Sequence, residues 1–200
     1  PFLDLWLPLV VSAGRDLVVA VPAYEPWLAD DARVALERHL AAGLCRVSEL
    51  AVHGLFVTHR TGADAAAGSG YLPFVRTLLA AGAAPLFSAY PVLARQIVQM
   101  VAQWKAAAAD LVSRLQDDCV ALEDAFGAAV TRVREVRPGL SDRHHDGRQV
   151  MHLRFESGLQ LAYKPRNIAV EQAYNRCLSS LGSAGMPSTP PALRTLARDG

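Results

Sequence analysis

The stretch that decides the fold begins Ser141-Asp142-Arg143-His144-His145-Asp146-Gly147. It continues as Val150-Met151-His152-Leu153-Arg154-Phe155, Glu156-Ser157-Gly158 and Leu159-Gln160-Leu161-Ala162-Tyr163-Lys164-Pro165-Arg166. Met151, Leu153 and Phe155 share one face of the first segment, and Leu159, Leu161 and Tyr163 share one face of the second. That is the period of two expected of half-buried antiparallel strands. With Glu156-Ser157-Gly158 as a tight link, the two segments make a β-hairpin entered through a charged, histidine-bearing loop. Ala162 and Lys164 lie on the face opposite Leu161 and Tyr163, so a small residue and a cation point together away from the packed side.

Working outward, Val130, Arg132 and Arg134 alternate with Thr131, Val133 and Glu135. This predicts a strand that pairs with the hairpin, in a sheet of three or more strands, before Pro138-Gly139 turns the chain into the loop. Upstream, Pro91 sits at a first helical position, where its missing N–H costs nothing. From there Leu93, Ile97, Val101, Trp104, Ala108, Leu111, Leu115, Cys119, Leu122 and Phe126 form one unbroken stripe up to Gly127. A helix of that length with one apolar face is a core wall, and Lys105, Asp110, Arg114, Asp117 and Asp118 on its other face read as solvated surface. Asp30 to His59 is a second long helix, with a buried stripe through Val34, Leu36, Leu40, Leu44, Val47, Leu50 and Leu55. Tyr71 to Ala81 is a shorter one, and Gly62 to Gly70 is a loop.

The first residues are less patterned. Phe2 to Pro8 reads as a short apolar helix or extended piece, and Ala13 to Trp27 is mixed. Past Arg166, Asn167 suits an N-cap for a helix whose stripe is Val170, Tyr174, Cys177, Leu178 and Leu181, ended by Gly182. Gly185 to Pro191 is a linker, and a further helix is expected from about Ala192. The expected class is α+β, with a helical part over residues 1–128 and a small antiparallel sheet with its following helix over 129–200.

Composition bounds the function. A net charge of +1 over 200 residues recruits neither nucleic acid nor an anionic membrane. Apolar content of 52% against 20% charged residues predicts surfaces that pack on more protein. The opening on Pro1 and the close on Arg198-Asp199-Gly200 read as a fragment of a larger domain. Three cysteines, Cys45, Cys119 and Cys177, lack metal or disulfide spacing and read as small core residues of a reduced, cytoplasmic protein. Thr77 to Ala94 is uncharged, but Gly82, Pro85 and Pro91 break it, so no membrane span is expected there.

A strand ending in small-x-Lys is how a kinase offers a smooth wall to adenine and an ammonium to phosphates. Ser141-Asp142-x-His144 with Gly147, the strand Val150-Met151-His152-Leu153-x-Phe155 with Gly158, and Leu161-Ala162-Tyr163-Lys164-Pro165-Arg166 before a helix resemble the dehydratase domain of the type 2 lanthipeptide synthetases, the LanM family. Pro1-Phe2-Leu3, Tyr90-Pro91-x-Leu93, Trp104 and Leu115-x-Asp117 resemble the same domain more loosely.

The resemblance implies the small-lobe side of a lipid-kinase-like fold. It also implies an enzyme that uses ATP and Mg²⁺ to phosphorylate serines and threonines of a ribosomal precursor peptide, then eliminates phosphate to leave dehydroalanine and dehydrobutyrine. Zinc enters only in a cyclase domain outside this chain. By the same resemblance Lys164 contacts nucleotide in the phosphorylation step, and Asp142 and His144 serve phosphate elimination.

Residue by residue, alternatives stand beside those roles. Asp142 also suits a turn cap after Leu140, and His145 competes with His144 as the working imidazole. Arg166 either meets phosphate, for which Lys164 is the first candidate, or pairs with Glu171. Asp146 and His152 complete an apparent Asp/His cluster that could suggest a metal, but spacing inside one loop does not define a tetrahedral site. No catalytic loop and no metal-binding Asp/Asn pair follows Lys164, so those parts are expected beyond Gly200, and this stretch alone is expected to turn over nothing. Two other classes remain open: a non-catalytic kinase-like scaffold that binds a partner peptide, and a kinase that phosphorylates without eliminating.

Overall fold

The computed structural model describes residues 2–61, 70–142, 146–185 and 190–198. Its helices are α1 (Leu3–Ala20), α2 (Tyr24–Trp27), α3 (Asp30–Thr61), α4 (Tyr71–Ala80), α5 (Ala84–Ala89), α6 (Pro91–Asp117), α7 (Cys119–Phe126) and α8 (Ala169–Ser183). The strands are β1 (Val133–Arg137), β2 (Met151–Phe155) and β3 (Gln160–Tyr163), in one antiparallel sheet of order β1-β2-β3. The class is α+β, as the change of period predicts. The chain forms two compact units: residues 1–22 with 34–109, and residues 23–33 with 110–200.

The first unit is helical. Leu36, Leu40, Leu44, Ser48 and Val52 recur at every fourth position of α3 and are buried, together with Leu5, Trp6, Val10 and Leu17 of α1. Residues four apart lie one above another on a helix, which is why this line closes on a neighbour. Leu50, expected in the stripe, is 88% exposed because it lies off that line. Two tryptophans bury their rings and still satisfy their N–H groups: Trp6 donates to Ser48 Oγ at 2.8 Å and Trp104 to the Leu36 carbonyl at 3.0 Å. Ser48 in turn donates to the Leu44 carbonyl at 2.7 Å. Ser48→Ala therefore strands the Trp6 N–H, and the expected loss is about 1–3 kcal/mol. Urea unfolding of the whole chain checks it through a lower midpoint at unchanged slope.

Several local expectations are corrected. Phe2 to Ala20 is not a short piece followed by a mixed one, since α1 continues through Pro8. The run from Thr77 to Ala94, by contrast, is broken as expected, divided among α4, a turn at Gly82 and Ala83 (both at positive φ), α5 and the start of α6. Among the described residues, the helix whose length and composition would allow a bilayer crossing is instead α3, a test that a core helix also passes. The expected loop over residues 62–69 lies outside the described residues.

The second unit holds the sheet. Met151 pairs with Tyr163 and Leu153 with Leu161 across β2 and β3, the register that the alternation demands. The link is closed by Gly158, at φ 88°, whose N–H reaches the Phe155 carbonyl at 3.0 Å. β1 lies further along the chain than expected and carries a register shift between Val133 and Glu135. That irregularity turns Val133 and Val136, three residues apart, to the same buried side. Leu28 bridges Val133 in parallel on the outer edge of β1, and Arg132 donates to the Glu25 and Leu28 carbonyls at 3.0 and 3.2 Å.

The stripe on the long helix is not continuous to Gly127. Helix α6 stops at Asp117 and α7 restarts at Cys119, with Asp118 between them at φ −101°, ψ 4°. No residue of α7 is fully buried. Helix α8 also departs from its expected stripe: Leu178 is buried, but Val170 and Tyr174 are 80% and 60% exposed. It ends one residue later than Gly182, at Ser183, with Ala184 as its C-cap and Gly185 following at φ 77°. Residues 190–198 carry no helix. Cys45 and Cys119 are half-buried and Cys177 is exposed, so none is a full core residue; burial nonetheless pushes the thiols of Cys45 and Cys119 up.

Candidate functional site

Helix α7 buries none of its residues fully, and its Leu122 and Phe126 line a cleft of about 400 Å³. Leu115 of α6 lines it with them, and Leu153, Leu161 and Ala162 of the sheet also contribute. β3 is an edge strand of alternating exposed and half-buried residues, so residues from both of its faces reach the cleft, not only Ala162 and Lys164. Leu193, Arg194 and Thr195 from the segment after α8 also line it. Arg194 donates to the Phe126 carbonyl at 3.2 Å, the Leu193 N–H to Asn175 Oδ1 at 2.9 Å, and Arg198 pairs with Asp118 at 2.8 Å.

Lys164 follows the last residue of β3 and stands in the cleft wall. Its Nζ lies 3.6 Å from Glu171 Oε1, and Arg166 bonds the same oxygen. Glu171 occupies the first turn of α8, whose N-cap is Ile168 and not the expected Asn167; Asn167 Oδ1 instead accepts the Ala169 N–H at 2.7 Å, two residues on, as in an Asx turn. A bond from its own backbone N–H holds the Glu171 carboxyl below the usual carboxylate range, and Arg166 and Lys164 add to this. The stability it contributes is present above the ordinary carboxylate range and is lost as pH falls through the depressed value. One carboxylate thus gathers Lys164 and Arg166, and an acid placed on a helix N-terminus is favoured there.

Asp142 is exposed and stands outside the wall of the cleft. The turn at its base is held by its neighbour: Ser141 Oγ accepts the Val150 N–H at 3.0 Å, and the Ser141 carbonyl accepts from Gln149 Nε2 at 3.0 Å. His144, with Arg143 and His145, lies outside the described residues. Among the described residues no group of three His, Cys, Asp or Glu side chains is arranged to hold a metal.

Asp110, Arg114 and Asp118 are not the solvated surface expected of that helix face. Asp110 accepts from Tyr163 Oη at 3.1 Å and from Arg114 Nε at 3.1 Å, with Arg148 Nε at 3.5 Å. The signal was the Asp110/Arg114 spacing of four, which marks an intrahelical pair but cannot show that a strand tyrosine joins it. Burial, and then Asp110, push the Tyr163 phenol up; burial and the bond to Asp4 push Tyr71 up to about 12.

Because a raised phenol is held neutral by the fold, its contribution is intact below the unfolded value of about 10 and fades as pH rises through the folded one. In a spectrophotometric titration, Tyr71 and Tyr163 are expected to ionise late. Tyr163→Phe is expected to remove part of that late phase.

No curated protein matches the sequence. The family described as Domain of unknown function (DUF4135) matches residues 90–200, which takes in α6, α7, the whole sheet, Lys164 and Glu171. That is more than half of the chain, and the chain belongs to this family.

Proposed function

We propose that the chain is part of a LanM-type lanthipeptide dehydratase. In this reading the enzyme phosphorylates serines and threonines of a ribosomal precursor peptide with ATP and then eliminates phosphate to give dehydroalanine and dehydrobutyrine. The observation that supports it most is Lys164, fixed at an apolar cleft by a carboxylate from the following helix. In kinases a strand lysine paired with a helix glutamate is the arrangement that must be in place before phosphoryl transfer. Membership of a family associated with lanthipeptide synthetases supports the same reading.

The donor set suits ATP. Leu115, Leu122, Phe126 and Leu161 offer apolar surface of the kind that accepts a base, and Lys164, Arg166 and Arg114 supply cations at the same cleft. ATP, when bound, supplies the phosphoryl group to be transferred. Lys164 would hold the phosphates with a compact charge, and Leu122 and Phe126 would exclude water from the cleft. Mg²⁺ and the zinc of a cyclase domain have no ligand set among the described residues. What this chain contributes is therefore the lysine, the apolar walls and the loop bearing Asp142 and His144. In the elimination half, an imidazole titrates near neutral pH and is suited to taking a proton, with Asp142 to orient it. The setting is a reduced one, the cytoplasm.

The test is the mass of the precursor peptide after incubation with ATP and the intact enzyme. Gain of phosphate followed by net loss of water at each modified residue is the expected result. A peptide of unchanged mass contradicts the reading, and phosphate gained without later loss leaves a kinase that does not eliminate.

A further inference from the structure

Asp110 is the point where three parts of the second unit meet. Tyr163, which bonds it at 3.1 Å, immediately precedes Lys164 on the chain. Arg114, one turn along α6, bonds its other oxygen and lines the cleft. Arg148 belongs to the arm of the loop that returns toward β2, and its Nε lies 3.5 Å from Asp110 Oδ2.

That arm is joined to Asp142 through few bonds. Gln149 and Val150 bind Ser141 at 3.0 Å each, the Leu140 N–H bonds the Val150 carbonyl at 3.0 Å, and Asp142 is the next residue. Asp146 and Gly147, at φ 63° and 83°, make the turn that brings Arg148 back. The Asp110 side chain is 23% exposed, so its three partners are only partly screened by solvent.

From this geometry we propose that Asp110 is a positioning residue that sets the loop bearing Asp142 against the strand bearing Lys164. It touches neither nucleotide nor peptide in this role. Its two arms are separable: Arg148 ties the loop, and Tyr163 ties the strand. The proposal rests on the dehydratase reading for its catalytic consequence, but not for the tether itself.

Hydrogen exchange on the intact protein without nucleotide tests the tether directly. Asp110→Asn and Arg148→Met are each expected to speed exchange of the Leu140 and Val150 amides by about tenfold, with the amides of α8 unchanged. In the peptide assay, Arg148→Met is expected to slow elimination by about 10–100-fold while phosphorylation continues, because a small misplacement of a working group costs that much. The double variant Asp110→Asn with Arg148→Met should slow elimination no further than Asp110→Asn alone.

Exchange at Leu140 and Val150 unchanged in both single variants overturns the proposal. So does an unaltered ratio of phosphorylated to dehydrated peptide with Arg148→Met. Should Asp110→Asn not fold, Arg148→Met decides alone, since it leaves the Tyr163, Asp110 and Arg114 bonds in place. If the unsubstituted intact protein leaves the precursor peptide unchanged in mass, the dehydratase reading fails, while the exchange result still decides the tether.

Discussion

Lys164→Ala in the intact enzyme is expected to reduce phosphorylation of the precursor peptide by on the order of 10³-fold or more, the scale found for other groups that stabilise a transferring phosphoryl. The ammonium sits at the cleft beside Ala162 and Leu161, and Glu171 fixes its direction at 3.6 Å. The substitution leaves Arg166 on Glu171, so the start of α8 keeps its ion pair and the fold is expected to survive. Lys164→Arg is not expected to restore the rate, because a planar fork differs from a compact ammonium in reach and geometry. Mass spectrometry of the peptide product measures both. Normal dehydration by Lys164→Ala removes the nucleotide role from this residue.

The second expected result separates two chemistries. Asp142→Asn and His144→Ala are each expected to leave ATP consumption on the peptide intact and to slow elimination by about 10²–10⁴-fold, the scale of a lost general acid or base. The product then carries phosphate at each attempted serine or threonine. Support comes from placement: Asp142 stands on the exposed entrance to β2 and outside the cleft wall that holds Lys164. A group placed there can serve the phosphorylated side chain without anchoring nucleotide. Unmodified peptide would mean that the loop is needed for phosphorylation itself. Fully dehydrated peptide would mean that neither residue takes part.

Legibility followed the physics of each segment. The hairpin was readable because a period of two has one solution when one side is buried, and Met151, Leu153 and Phe155 are all buried. β1 was displaced because its irregularity between Val133 and Glu135 breaks the alternation that sequence reading relies on. The stripe from Leu93 to Phe126 kept its spacing across Asp118, and spacing cannot reveal that the helix restarts there and offers Leu122 and Phe126 to a cleft.

At the cleft, Lys164 and Arg166 were singled out by pattern, and both line it. Asp110 was not, since its importance lies in Tyr163 and Arg148, which are 53 and 38 positions away in sequence. An exposed carboxylate and a tethering one look alike until the chain is folded. The face of α8 misread as buried, with Val170 and Tyr174 outward, shows the converse: an apolar stripe names a face that wants cover, not the presence of that cover.

The most direct measurement is covalent labelling of the intact protein with an acyl-phosphate derivative of ATP, which transfers its acyl group to a lysine lying against the bound phosphates. Peptide mapping is expected to find the label on Lys164, with excess ATP suppressing it and the signal surviving in Asp142→Asn. A label on other lysines only, or one on Lys164 that ATP does not suppress, would contradict a nucleotide held at this cleft.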